Sequence, residues 1–148
     1  MFRLKKTLNC GAILPDLIKI DTDTAYSFTE DIKAGMALYL TSDKKFIKCP
    51  IDSRPTHVCE GVFNYADGEK YMLCYSIGEN MIFEAPIEDS EDQAFIGSPV
   101  FVAEDGLSVK FDKNSTKNTG VIFSKNTPYK AASLKTALVQ FPSRGVDA

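Results

Sequence analysis

The chain has 148 residues, a net charge of −3, four cysteines, one histidine and no tryptophan, with 44% hydrophobic and 25% charged residues. That is the size and composition of one ordinary globular domain, and the charge balance argues against a nucleic-acid-binding surface. No run reaches the roughly 18–20 apolar residues of a membrane-spanning helix. No apolar core of about 7–15 residues follows Met1-Phe2-Arg3-Leu4-Lys5-Lys6 as a secretory signal requires, so synthesis in a cytoplasm is expected.

Residues 1–24 read as an extended arm, because Gly11, Pro15 and Asp21-Thr22-Asp23-Thr24 interrupt every periodicity, although Leu17–Ile20 fits a short strand. From Ala25 onward the pattern is β. Tyr26 and Phe28 alternate with Ser27 and Thr29. Met36–Thr41 and Phe46–Cys49 flank a turn at Thr41–Lys44 and predict a hairpin. Pro50 and Pro55 bracket a loop, because proline donates nothing to a ladder. His57–Phe63 and Lys70–Ile77 predict strands around an Ala66-Asp67-Gly68-Glu69 turn, and Met81–Ala85 follows another turn at Gly78–Asn80. The stretch 84–92 is acidic and reads as a solvated loop. Ser98–Ala103 and Leu107–Phe111 form a second predicted hairpin, with Leu107, Val109 and Phe111 on one face and Ser108 and Lys110 on the other. Gly120–Ser124 and Ser133–Phe141 complete the set, and Tyr129–Leu138 is a weak helical candidate. Strands spaced this closely, with turn signals between them, predict a sandwich or small barrel.

The chain also repeats itself. Ala34-Gly35-Met36-Ala37-Leu38-Tyr39-Leu40 is answered by Ile96-Gly97-Ser98-Pro99-Val100-Phe101-Val102. The same offset matches Asp43 with Asp105 and Ile47-Lys48 with Val109-Lys110. Glu60-Gly61-Val62-Phe63 then finds an echo in Thr119-Gly120-Val121-Ile122-Phe123. The expected units are about 34–85 and 96–141, packed face to face over one shared core, because neither copy covers its own apolar face.

Chemistry is sparse. A lone His57 has no nucleophile or carboxylate near it in sequence. The nine glycines are scattered singly, so there is no phosphate cradle. Asp21-Thr22-Asp23 opens like a calcium loop but lacks the later glycine and glutamate. Cys10, Cys49, Cys59 and Cys74 are spaced too widely for a CxxC motif and are expected as free, buried thiols. Cys49 and Cys59, flanking the Pro50–Val58 connection, are the pair placed to face one another across two strands. No catalytic residue, no metal site and no cofactor is expected. Tyr26, Tyr39, Tyr65, Tyr71 and Tyr75 are available for an aromatic platform.

The progression Gly35-Met36-Ala37-Leu38-Tyr39-Leu40, Ser53-Arg54-Pro55-Thr56-His57-Val58, Ile96-Gly97-Ser98-Pro99-Val100-Phe101-Val102 and Asn118-Thr119-Gly120-Val121-Ile122 resembles the capsid decoration (cement) and head-fibre proteins of tailed bacteriophages. Arg54 stands where that pattern often has Lys, and His57 where it has Tyr. The resemblance covers residues 34–123 and rests on turn-and-strand patterns. It implies a non-enzymatic virion structural protein, assembled in the host cytoplasm, that bridges the major capsid protein on the capsid exterior, often as a homo-oligomer such as a trimer. It implies no nucleic-acid or membrane partner. Binding only the assembled shell stabilises it by mass action, and repeated weak contacts add through effective concentration.

The expectation is thus an all-β sandwich or small barrel of two related strand units over 25–148, with an extended N-terminal arm over 1–24. Phe2, Arg3, Leu4, Lys5, Lys6 and Leu8 are the candidate contacts to the capsid or a sister subunit, made by strand addition. The alternative function is a ligand- or carbohydrate-binding β-module for host attachment.

Overall fold

The computed structural model describes residues 1–8, 11, 13–20, 26–89, 93–126 and 135–142. Among these residues there is no helix, and the fold is all-β as expected. Twelve strands run in chain order: β1 (Arg3–Thr7), β2 (Asp16–Ile20), β3 (Ser27–Phe28), β4 (Ala37–Leu40), β5 (Lys45–Lys48), β6 (His57–Asn64), β7 (Lys70–Ser76), β8 (Met81–Glu88), β9 (Pro99–Val102), β10 (Val109–Lys110), β11 (Gly120–Asn126) and β12 (Thr136–Gln140).

They form two sheets of the same design. In the second, β8, β10, β9, β11 and β12 close into a barrel, with β1 added beside β10 on one edge of β8. In the first, the order is β2-β7-β6-β4-β5-β3. Four strands of this sheet have twins in the barrel: β4 with β9, β5 with β10, β6 with β11, and β7 with β12. The backbone repeats down to single bonds. Met36 N–H donates to Lys33 O as Ser98 N–H does to Phe95 O, and Thr56 N–H donates to Leu38 O as Thr119 N–H does to Val100 O. Gly35 and Gly97 open the two hairpins with positive φ, and Lys44 and Gly106 close them the same way, at φ 59° and 70°. One bulge separates Cys59 from Gly61 and its twin separates Ile122 from Ser124.

The pairing corrects the alignment read from sequence. The second hairpin turn, Ala103–Ser108, is one residue longer than the first, Thr41–Lys45. Phe46, not Ile47, is therefore the twin of Val109, since each stands opposite the last residue of the strand before the turn. Likewise His57, not Gly61, is the twin of Gly120. The closing strand also differs. β8 runs unbroken from β12 to β10, whereas the first sheet uses β2 against β7 and β3 parallel to β5. Met81–Ala85 thus belongs to the barrel rather than to the first repeat.

One shared core was expected; there are two. Leu38, Phe46, Cys59, Met72 and Cys74 fill the first unit. Phe83, Val100, Val102, Val109, Ile122, Val139 and Phe141 fill the barrel, and this cluster runs on through Phe2, Ala37, Cys49, Val58 and Ile77. Neighbours such as Ala37 and Leu38, or Val58 and Cys59, point to opposite faces because side chains alternate along a strand. Where β4 and the start of β6 meet the barrel, the first sheet is therefore buried on both faces, which is why Ala37–Leu38 and Val58–Cys59 are enclosed pairs rather than half-exposed ones. Arg54 locks the units together further, its Nη2 donating to Phe141 O at 2.9 Å.

The arm is extended but paired. Arg3–Thr7 adds antiparallel to Met81–Glu84, and Asp16–Ile20 to Lys70–Cys74. The predicted strand Leu107–Phe111 shortens to Val109–Lys110, and Ser108 is buried rather than outward, its Oγ donating to the Asp105 carboxylate at 3.1 Å. In the weak helical candidate, Thr136–Leu138 is strand, and residues 129–134 lie outside the described residues.

Candidate docking surfaces

Backbone pairing fixes where each N-terminal candidate lies. Phe2 is 3% exposed, and its ring centroid stands 6.1 Å from that of Phe141. Leu4 packs against the same core. Both are therefore occupied within the chain's own fold, which corrects their expected place on a contact surface. Leu8 donates its N–H to Asn80 O at 2.7 Å. Arg3, Lys5 and Lys6 remain exposed, with Lys5 at 3.8 Å from Glu84 and Lys6 Nζ 4.5 Å above the Phe123 ring. An exposed ion pair of this kind contributes about 0–1 kcal/mol, so the charges stay available to a partner.

Among the described residues, the most exposed apolar pair of neighbours lies elsewhere, in the turn leading into β9. Phe95 and Ile96 are each 68% exposed. The turn is held from both sides. The buried Asp89 carboxylate accepts from Gln93 N–H at 3.2 Å and Ala94 N–H at 2.8 Å, while Ser98 Oγ accepts from Phe95 N–H at 2.9 Å. Gly97 N–H then donates to Ile122 O at 2.8 Å. The twin turn of the first unit carries Lys33 and Ala34 at these two positions, so the turn geometry does not demand large apolar residues. The acidic stretch is accordingly less a solvated loop than expected: Glu84–Glu88 is strand, Asp89 caps the turn, and residues 90–92 lie outside the described residues.

A cavity of about 620 Å³ is an open depression between Glu88, Lys110 and the 112–117 loop. Glu88, Glu104, Asp105 and Asp112 line it with Lys110 and Lys117, and only Ile51, Phe101 and Ala103 are apolar. Sites that bury small ligands are mostly apolar with a few convergent polar groups; this one has the reverse balance. No group of three or more His, Cys, Asp or Glu stands ready for a metal among the described residues.

His57 is half-buried, edge-on to Phe46 at 5.1 Å between centroids, with Nδ1 2.9 Å from Thr56 Oγ1. Burial lowers its pKa, opposed in part by Asp16. Burial likewise pushes Cys49 and Cys74 up to about 12 and Cys59 to about 11. Cys49 and Cys59 do not face each other; they point into different cores, with Cys49 Sγ near Ser53 O at 3.3 Å. Of the five tyrosines, Tyr65 and Tyr71 meet edge to face at 5.2 Å, whereas Tyr26 packs on Phe46. Phe63, which pairs with Tyr71 across the ladder, completes an aromatic group that the tyrosine count alone did not reveal. Glu69 accepts from Tyr71 Oη at 2.9 Å beside it.

No protein-family model, no curated protein and no solved structure matches the chain.

Proposed function

We propose that this chain is a virion structural protein that decorates the outer surface of a phage capsid and stabilises it by bridging shell subunits. The strand-and-turn progression over residues 34–123 suggests that class, and the duplicated all-β scaffold suits it, because a docking protein must hold its contact residues still. The observation that carries the reading is the capped turn presenting Phe95 and Ile96. Rigidly held apolar anchors bind at low ordering cost, and their centre of contact supplies most of the energy. Arg3, Lys5 and Lys6 supply a charged rim.

Purified, folded protein is expected to co-sediment with mature capsids, and a Phe95→Ser/Ile96→Ser variant to bind roughly 10-fold or more weakly, as loss of such anchors implies. Wild-type protein that is folded by circular dichroism yet stays in the supernatant would end the proposal. A second reading, a carbohydrate-binding module for host attachment, is favoured by the exposed Phe63 and Tyr65, grouped with the half-buried Tyr71 beside Glu69. A glycan screen in which Phe63→Ser abolishes a hit that Phe95→Ser leaves intact would move the conclusion there.

A further inference from the structure

The two units place different chemistry in one buried slot. Cys59 on β6 stands directly opposite Cys74 on β7, just before the bulge. In the twin slot Ile122 stands opposite Val139, before the twin bulge. All four are enclosed: 1% exposed for Cys59 and Ile122, 0% for Cys74 and Val139. A position that branched aliphatics fill in one copy does not need sulfur to pack. Some other property distinguishes the thiols.

Backbone bonding settles how the two approach. Cys59 N–H donates to Met36 O at 2.9 Å, and Cys59 O accepts from Gly35 N–H at 2.7 Å, so both backbone groups turn toward β4. On its β7 side the Cys59–Cys74 pair is therefore non-hydrogen-bonded. Such antiparallel pairs bring Cα atoms to about 4.5 Å, with side chains at their closest, and a disulfide spans Cα separations of about 4.4–6.8 Å. Cys49 is excluded from this pairing, because it points into the barrel cluster.

We propose that Cys59 and Cys74 are a modification site: oxidised by peroxide, they join as a cross-strand disulfide that staples β6 to β7. One sulfur gives an electron pair to peroxide; an S–O bond forms, the O–O bond breaks and water leaves, giving a sulfenic acid. The second sulfur attacks the first, the S–O bond breaks, and hydroxide departs with the thiol's proton as a second water. Two thiols and one hydrogen peroxide thus become one disulfide and two waters. Peroxide is small enough to reach the pair through brief strand opening. The buried thiols hold their protons tightly, so the reaction is slow at neutral pH and faster at alkaline pH.

The test is intact-mass analysis and non-reducing peptide mapping of folded protein treated with hydrogen peroxide. The expected result is a loss of about 2 Da, a peptide link between Cys59 and Cys74, and a Tm higher by roughly 6–12 °C that dithiothreitol reverses. That size follows from closing a loop of about 15 residues in a chain of this length. A Cys10→Ser/Cys49→Ser variant keeps the link. The Cys59→Ile/Cys74→Val variant, which transplants the twin pair, loses it; if that variant fails to fold, the first one still decides. Unchanged mass, oxygen addition to separate cysteines, or a link through Cys10 or Cys49 overturns the assignment.

Discussion

The contact between the two units can be weighed at a single methyl group. Gly106 lies in the β9–β10 turn with φ +70°, and its carbonyl accepts from Ala37 N–H of the first unit at 2.7 Å. A Cβ there would lie 2.8 Å from Lys48 Cγ and 2.9 Å from Met36 Cγ, both from the first unit. Gly97 is the control, since its φ is +88° but a Cβ would meet nothing within 4 Å. The left-handed conformation costs a Cβ-bearing residue about 1–2 kcal/mol, and alanine's smaller unfolded-state entropy offsets about 0.4–1 kcal/mol. Gly97→Ala should therefore destabilise by about 0.5–1 kcal/mol. Gly106→Ala adds overpacking of about 1–3 kcal/mol, for a total of about 2–4 kcal/mol. At roughly 2–4 °C per kcal/mol for a chain of this size, calorimetry should show Tm falling by about 1–4 °C for Gly97→Ala and by about 4–16 °C for Gly106→Ala. Equal shifts for the two would mean that this turn does not rest on Met36 and Lys48, and the packing of barrel against first sheet would have to be redrawn.

Phe2→Ala should lower stability by about 3–5 kcal/mol, the usual loss for a buried aromatic, seen as a lower urea midpoint at unchanged slope; a change within about 0.5 kcal/mol, normal for surface sites, would restore Phe2 to a free arm. His57 is the single histidine, so its ring Cε1 proton can be followed alone by NMR. Its midpoint should fall below 6.5, because burial disfavours the charged ring. The unfolded chain then takes up the proton first, so this contribution to stability is complete above about pH 6.5 and declines as pH falls toward the folded value. His57→Gln should flatten that part of the stability–pH curve, and a midpoint at or above 6.5 would contradict the burial described.

Most of the β-structure was legible because alternation survives in strands with one solvated face, as in Lys70–Ser76. β1 was hidden for a physical reason. Arg3-Leu4-Lys5-Lys6-Thr7 carries a register shift between Leu4 and Lys6 that breaks the period of two, and an edge strand tolerates lysines that would be costly in a central one. The extra residue in the second turn was equally invisible, since Asp43 and Asp105 align perfectly well across it and only the ladder shows that Phe46 answers Val109. Cys49, Cys59 and Cys74 are the free, buried thiols expected, but loop proximity in sequence says nothing about face: Cys49 and Cys59 bracket one connection yet enter different cores.

Duplication makes the molecule its own control. Where both copies keep the same backbone device, as at Gly35 and Gly97 or at the paired bulges, the fold demands it. Where the copies share geometry but differ in chemistry, packing is satisfied twice over by different residues, and the difference needs another cause. The outer face follows the same logic. Phe63 and Tyr71 of the first unit occupy the places of Asn126 and Thr136 in the barrel unit, judged from the ladder on either side of the bulge. The capped apolar turn belongs to the barrel unit, whereas the Phe63–Tyr71 pair and the thiol pair belong to the first. The two copies thus carry their exposed apolar side chains on separate surfaces, so a substitution on one can be scored for binding while the other reports that the molecule is still folded.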